Sequence, residues 1–160
     1  APVISAAARS AAMPWTALFG TADALVAMTA AYAGGTDLVS PAVLAEARRD
    51  QCAGLPGGFN TTDPAFGIAE TRPLVWAECA WGLCIELRGD KSPHWSPKQA
   101  GPGSFGHLGS TGVLSWYDPR AGVTWAVLGT RTTDSAWLLR HGTQIGISAL
   151  AALGGGAADG

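Results

Sequence analysis

Residues 106–119 read GHLGSTGVLSWYDP, and the fold of the chain turns on how that run divides. Ser110 to Tyr117 is rich in β-branched and aromatic residues, Asp118-Pro-Arg-Ala-Gly122 carries turn chemistry, and Val123-Thr-Trp-Ala-Val-Leu-Gly-Thr130 is a second β-rich run. Two strands joined by such a turn make an antiparallel hairpin. A third strand is expected within Cys79-Ala-Trp-Gly-Leu-Cys-Ile-Glu-Leu-Arg88. The glycine-rich run before the hairpin, GPGSFG at 101–106, fits G-x-G-x-x-G by letter. A dinucleotide loop needs a strand before it and a helix after it. Here a proline-broken loop, Lys91 to Lys98, precedes it and a strand follows, so the phosphate-cradle reading fails on context.

Working outward, the first third reads as helical. Thr21 is placed to cap TADALVAMTAAYA, with Asp23 in the first turn and Gly34-Gly35 as the stop. Ser40-Pro41 then opens a second helix that the pattern carries to about Gln51. Glycine and proline from Gly54 to Gly58 predict a loop, with irregular chain to about Pro73. At the other end, Thr132 or Thr133 caps a closing helix from Asp134 to about Leu153, stopped by Gly154-Gly-Gly156, and a frayed tail follows. The expected fold class is α+β, a three-strand antiparallel meander with packed helices. Residues 1–73 form a helical segment and loop, and residues 74–160 form strands and a final helix, both parts of one domain.

Composition excludes several function classes. With 160 residues, 48% hydrophobic and 14% charged, the chain has the material for one packed core. A net charge of -2 and scattered Lys and Arg leave no basic stripe for nucleic acid or an anionic membrane surface. No apolar run approaches the roughly 20 residues that span a bilayer. Cys52, Cys79 and Cys84, with His94, His107 and His141, match no zinc spacing, so no metal is expected. Three unpaired cysteines lean toward a reducing, cytoplasmic compartment without fixing one.

The order of segments FGTADALVAMTAAYAGG, the Ser-Pro-capped helix, WGLCIEL and GHLGSTGVLSWYDPRAGVTWAVLGTR, then a long helix, resembles the C-terminal portion of the penicillin-recognising serine hydrolases. The resemblance is to the branch holding class C β-lactamases, related esterases and D-alanyl-D-alanine peptidases, and it runs from about Pro14 to Leu153. Its most specific element is G-H-x-G-x-x-G from Gly106 to Gly112, with Asp118-Pro119 following. In that family a serine in S-x-x-K attacks an acyl carbon, and a K-T-G or H-x-G motif on a strand forms the opposite wall. The resemblance implies that His107, Gly109 and Ser110 belong to the catalytic wall, with the Ser110 backbone N–H as one oxyanion donor. It implies that Leu108, Thr111 and the loop residue Trp95 contact substrate. No cofactor is implied.

His107 itself also fits a plain loop histidine between glycines, and Gly106 and Gly112 fit strain relief at the strand start. Trp81, Trp116 and Trp125 read as sheet-packing residues. No serine stands three residues before a lysine, Tyr32 and Tyr117 open no Y-x-N motif, and G-x-S-x-G does not occur, so the nucleophile is not in this chain. The expectation is a serine hydrolase lacking its N-terminal half and inactive alone. Its substrate would be an ester, a β-lactam or a D-amino-acid peptide. Histidine in place of lysine leans toward esterase or peptidase relatives. The alternative is a non-catalytic binding domain on the same scaffold. The partner expected is the N-terminal half, or a second copy, pairing through the strand at 123–130, whose sequence is apolar and uncharged.

Overall fold

The computed structural model describes residue 10 and residues 19–34, 36–61, 72–130 and 137–154. The first two helices form where their caps place them. Helix α1 spans Ala22–Ala33: the Thr21 hydroxyl accepts from the Ala24 amide, and Gly34, at φ 99°, donates back to Ala30 and Ala31. That left-handed C-cap suits glycine, which has no Cβ to clash. Helix α2 spans Pro41–Ala47, capped by the Ser40 hydroxyl on the Val43 amide. It stops four residues short of Gln51. The Leu83 amide hydrogen-bonds to the Ala47 carbonyl at 2.9 Å, so a segment distant in sequence takes the acceptor at the helix end.

Two antiparallel sheets follow. Strands β1 (Gly57–Thr61) and β2 (Arg72–Trp76) pair as a two-stranded sheet where irregular chain is expected. Glycine concealed β1, because its first two residues lack side chains that would signal a strand. A Cβ at Gly58 would lie 1.9 Å from the Leu74 carbonyl oxygen, so glycine here permits close approach of the two backbones. The second sheet is a meander in the order β3 (Glu86–Leu87), β4 (Phe105–Gly109), β5 (Val113–Asp118), β6 (Val123–Leu128). It has four strands rather than three. The strand expected over 79–88 shrinks to two residues because Gly82 to Ile85 turn back, with Trp81 bridging Glu86 and Cys84 at φ 59°. β4 carries the H-x-G motif and lies between β3 and β5.

Antiparallel register sorts the side chains onto two faces. Phe105, His107, Gly109, Val113, Ser115, Tyr117, Thr124, Ala126 and Leu128 share one face, and α1 packs there on β5 and β6. Leu114, Trp116, Val123 and Trp125 share the other, where they join Trp76, Trp95, Leu138 and Leu139 in the core. Helix α3 (Trp137–Leu153) covers that side. Its expected start and cap, at 132–136, lie outside the described residues. Gly142 and Gly146 let it sit close: a Cβ at Gly146 would stand 2.7 Å from the Pro97 ring, and one at Gly142 would stand 3.1 Å from the Trp95 carbonyl. The fold is α+β, a helix–sheet–helix sandwich built on an antiparallel meander.

Candidate functional site

Alternation along β4 decides which motif residues face outward. His107 pairs in register with Ser115 and is exposed, whereas Leu108 turns the other way and packs against the core. Beside His107 on the same face, the buried Ser115 hydroxyl shares a hydrogen bond with Thr29 of α1 and donates weakly, at 3.4 Å, to the Trp125 carbonyl. The β4–β5 connection is the three-residue loop Ser110-Thr111-Gly112. It closes through the Gly112 amide on the Gly109 carbonyl at 2.9 Å, with Gly112 at φ 82°. Ser110 and Thr111 are exposed at its tip. The structure thus brings His107, Gly109, Ser110 and Thr111 together on one end of the hairpin.

Two glycines of the motif do different things. A Cβ on Gly106 would meet the Ser115 carbonyl at 2.0 Å and the Trp116 ring at 2.5 Å, so Gly106 is there for packing of the sheet rather than for relief of strain. A Cβ on Gly109 would come no nearer than 3.6 Å to any neighbour, and its φ is not left-handed. The chain's own packing leaves room for a side chain at 109. Asp118, at the end of the motif, accepts the Arg120 amide at 3.0 Å and shapes the turn into β6.

Trp95 and Leu108 do not line this face. Trp95 is 6% exposed and sits in an aromatic cluster with Phe59, Trp76 and His94 on the α3 side of the sheet. Its surrounding prolines suggested a surface loop, but the 91–97 segment tucks under the sheet, and the Thr143 hydroxyl of α3 holds the His94 carbonyl at 2.8 Å. Trp81 stands next to the motif instead. Its ring meets His107 edge-on, with centroids 5.6 Å apart and planes at 80°. Nothing in the spacing of residues 26 apart announces this contact. It follows from β3 pairing beside β4.

Below this surface lies a buried polar cluster. The Lys91 ammonium is held by Glu86 Oε1 at 2.7 Å and by the Ala80 and Leu87 carbonyls at 2.8 Å each. It lies 5.3 Å from the Trp76 ring centre and 5.7 Å from that of Trp81. His94 Nδ1 accepts the Ser96 amide at 3.0 Å, which leaves Nε2 to donate to Glu86 Oε1 at 3.2 Å. Burial, ahead of the opposing pull of Glu86, pushes His94 below its ordinary pKa. The Ser96 hydroxyl lies 2.8 Å from Nδ1, so Ser96, His94 and Glu86 mimic the order nucleophile, base, carboxylate. The chemistry does not follow. Ser96 is 1% exposed, so no substrate carbon reaches it, and Lys91 engages the same carboxylate oxygen. These residues tie the 91–97 segment to β3.

Among the described residues no group of His, Cys, Asp and Glu could hold a metal, the three cysteines are free, and no helix is long and apolar enough to cross a membrane. A half-open cavity of about 280 Å³ lies between the end of α1 and α2, lined by Thr36, Asp37 and Arg48 among others and by none of the motif residues.

An antiparallel meander with α1 on one face of β5 and β6, α3 on the other side, and H-x-G on β4 defines a class of fold, and a solved structure is similar to the chain over most of its length. The chain is similar to the crystal structure of a β-lactamase from Mycobacterium bovis, with 31% sequence identity and a TM-score of 0.57 over 72% of this chain. The chain spans 38% of the length of that structure. No protein-family model matches the chain, and neither does any curated protein. The fold is β-lactamase-like.

Proposed function

We propose that the protein containing these residues is a serine acyl hydrolase working through an acyl-serine on an ester, a β-lactam or a D-amino-acid peptide, and that the β4–β5 hairpin forms one wall of its pocket. The observation that carries this reading is the placement of H-x-G: His107, Gly109 and Ser110 share one end of the hairpin, and a Cβ at Gly109 would clash with nothing, its nearest neighbour standing at 3.6 Å. In the reaction a serine oxygen adds to the acyl carbon, the leaving group departs, and water cleaves the ester so formed. Negative charge gathers on the acyl oxygen at each addition. The Ser110 N–H would be one donor to it and the nucleophile's own N–H the other; losing one such donor costs about 2.7–4 kcal/mol in a comparable site. Gly109 lets the acyl group approach the strand, and His107 offers a polar or cationic group to a substrate carboxylate or to the proton network.

No S-x-x-K occurs in the sequence, so the nucleophile of this reaction would come from outside these residues, which are inactive by themselves. The same lack favours a second reading, a binding domain that keeps the scaffold without the chemistry. β6 pairs on one side only among the described residues, which supports an N-terminal half of the domain as its partner there, with self-association as the alternative.

Labelling the full chain with a fluorescent penicillin and a fluorophosphonate, then mapping the adduct by mass spectrometry, tests the proposal. The expected adduct is on an S-x-x-K serine outside these residues. No adduct from either probe would favour the binding reading, and an adduct on a serine of this sequence would overturn the placement of the nucleophile.

A further inference from the structure

His107 is exposed, and an exposed imidazole samples several rotamers, whereas a group that acts on a reacting centre must be held within a narrow range of positions. Among the described residues its ring has one aromatic neighbour, Trp81, edge-on at 5.6 Å. Trp81 is anchored from three directions. Its amide donates to Asp50 Oδ1 at 3.2 Å, its carbonyl accepts from the Gln51 amide at 2.7 Å, and its indole stands 5.7 Å from the Lys91 ammonium. Lys91 cannot drift, since a buried carboxylate and two carbonyls hold it.

We propose that Trp81 is a positioning residue for His107: a half-buried indole, fixed by the 50–51 segment and by Lys91, that holds the imidazole on the outward face of β4. This rests on the reading of His107 as a pocket residue, but the contact itself can be tested apart from activity. An edge-to-face pair contributes about 0.5–1.5 kcal/mol beyond its buried area. Loss of that restraint is expected to lower kcat/KM by about twofold to twelvefold, carried by kcat rather than KM.

The experiment is NMR on the full chain, with the His107 ring signals assigned by their loss in His107→Gln. Cross-relaxation between the Trp81 indole and the His107 imidazole is expected, together with a ring-current shift of the His107 protons. In Trp81→Leu that shift should disappear. Trp81→Phe should restore it in part, along with kcat. Unchanged His107 signals in a folded Trp81→Leu protein overturn the proposal. If that variant does not fold, the unsubstituted protein decides: cross-relaxation supports the contact and its absence refutes it. Should His107→Ala keep full kcat/KM while the cross-relaxation is present, the pocket reading falls and the positioning contact stands.

Discussion

Gly106→Ala and Gly109→Ala, three residues apart on one strand, should behave oppositely. At Gly106 the new methyl would stand 2.0 Å from the Ser115 carbonyl oxygen, 2.5 Å from Trp116 Cε3 and 2.8 Å from Trp116 Cα. Two of these obstacles are backbone, and β4 is held between β3 and β5, so neither side can yield without breaking ladder bonds. Overpacking of this kind costs about 1–3 kcal/mol or more, against a gain of about 0.5–1 kcal/mol from replacing glycine in a strand. The expected net loss is about 2 kcal/mol, a fall in Tm of roughly 4–8 °C for a chain of this size. At Gly109 the methyl meets nothing closer than 3.6 Å, so stability should match the parent or exceed it by up to about 1 kcal/mol, the same gain from replacing a strand glycine. The same methyl would project into the space where an acyl group must approach, so acyl-enzyme formation should drop. Urea unfolding of both variants, with probe labelling of the full chain, reads all of this. Equal stability of the two variants would refute the assignment of Gly106 to packing and Gly109 to access.

Lys91→Met leaves the buried Glu86 carboxylate without its cation and should destabilise by about 3–5 kcal/mol, whereas Lys91→Met with Glu86→Gln should recover most of the loss in a denaturant titration. His94 is buried with its pKa lowered, and Glu86, Lys91 and Arg88 surround it. Below about pH 6.5 the unfolded chain therefore binds a proton that the folded chain refuses, and stability falls with acidification from that point. Tm measured from pH 8 to pH 5 should show this slope in the parent and a shallower one in His94→Gln; parallel curves would remove His94 as the cause. Self-association through β6 would appear in sedimentation at micromolar concentration and be weakened by Leu128→Lys, since Leu128 is half exposed whereas Val127 packs on the core. A monomer with hydrogen-exchange protection along the whole of β6 would show that the strand is already covered.

Local chemistry was legible wherever one residue type answers one backbone need. Thr21, Ser40, Gly34 and Pro41 mark helix ends because a hydroxyl, a missing Cβ or a fixed φ acts within four residues of itself. The hairpin of β5 and β6 belongs to the same class, since its turn residues and its two β-rich runs act within a few residues of themselves. Strand pairs made of glycine, such as the start of β1, were silent, because their signal is the closeness of another backbone. The same holds at the site. The motif letters brought out His107, Gly109, Ser110 and Thr111 but also drew in Leu108, which period-two geometry turns inward, and the proline-rich loop before them drew in Trp95, which the fold buries. Only packing decided that Trp81 stands against His107, that Lys91 lies against Trp81, and that Gly106 and Gly109 serve different ends. Each depends on which strand lies beside which, and that is settled by burying Trp116, Trp125 and Leu114 against α3 rather than by any residue's neighbours in the chain.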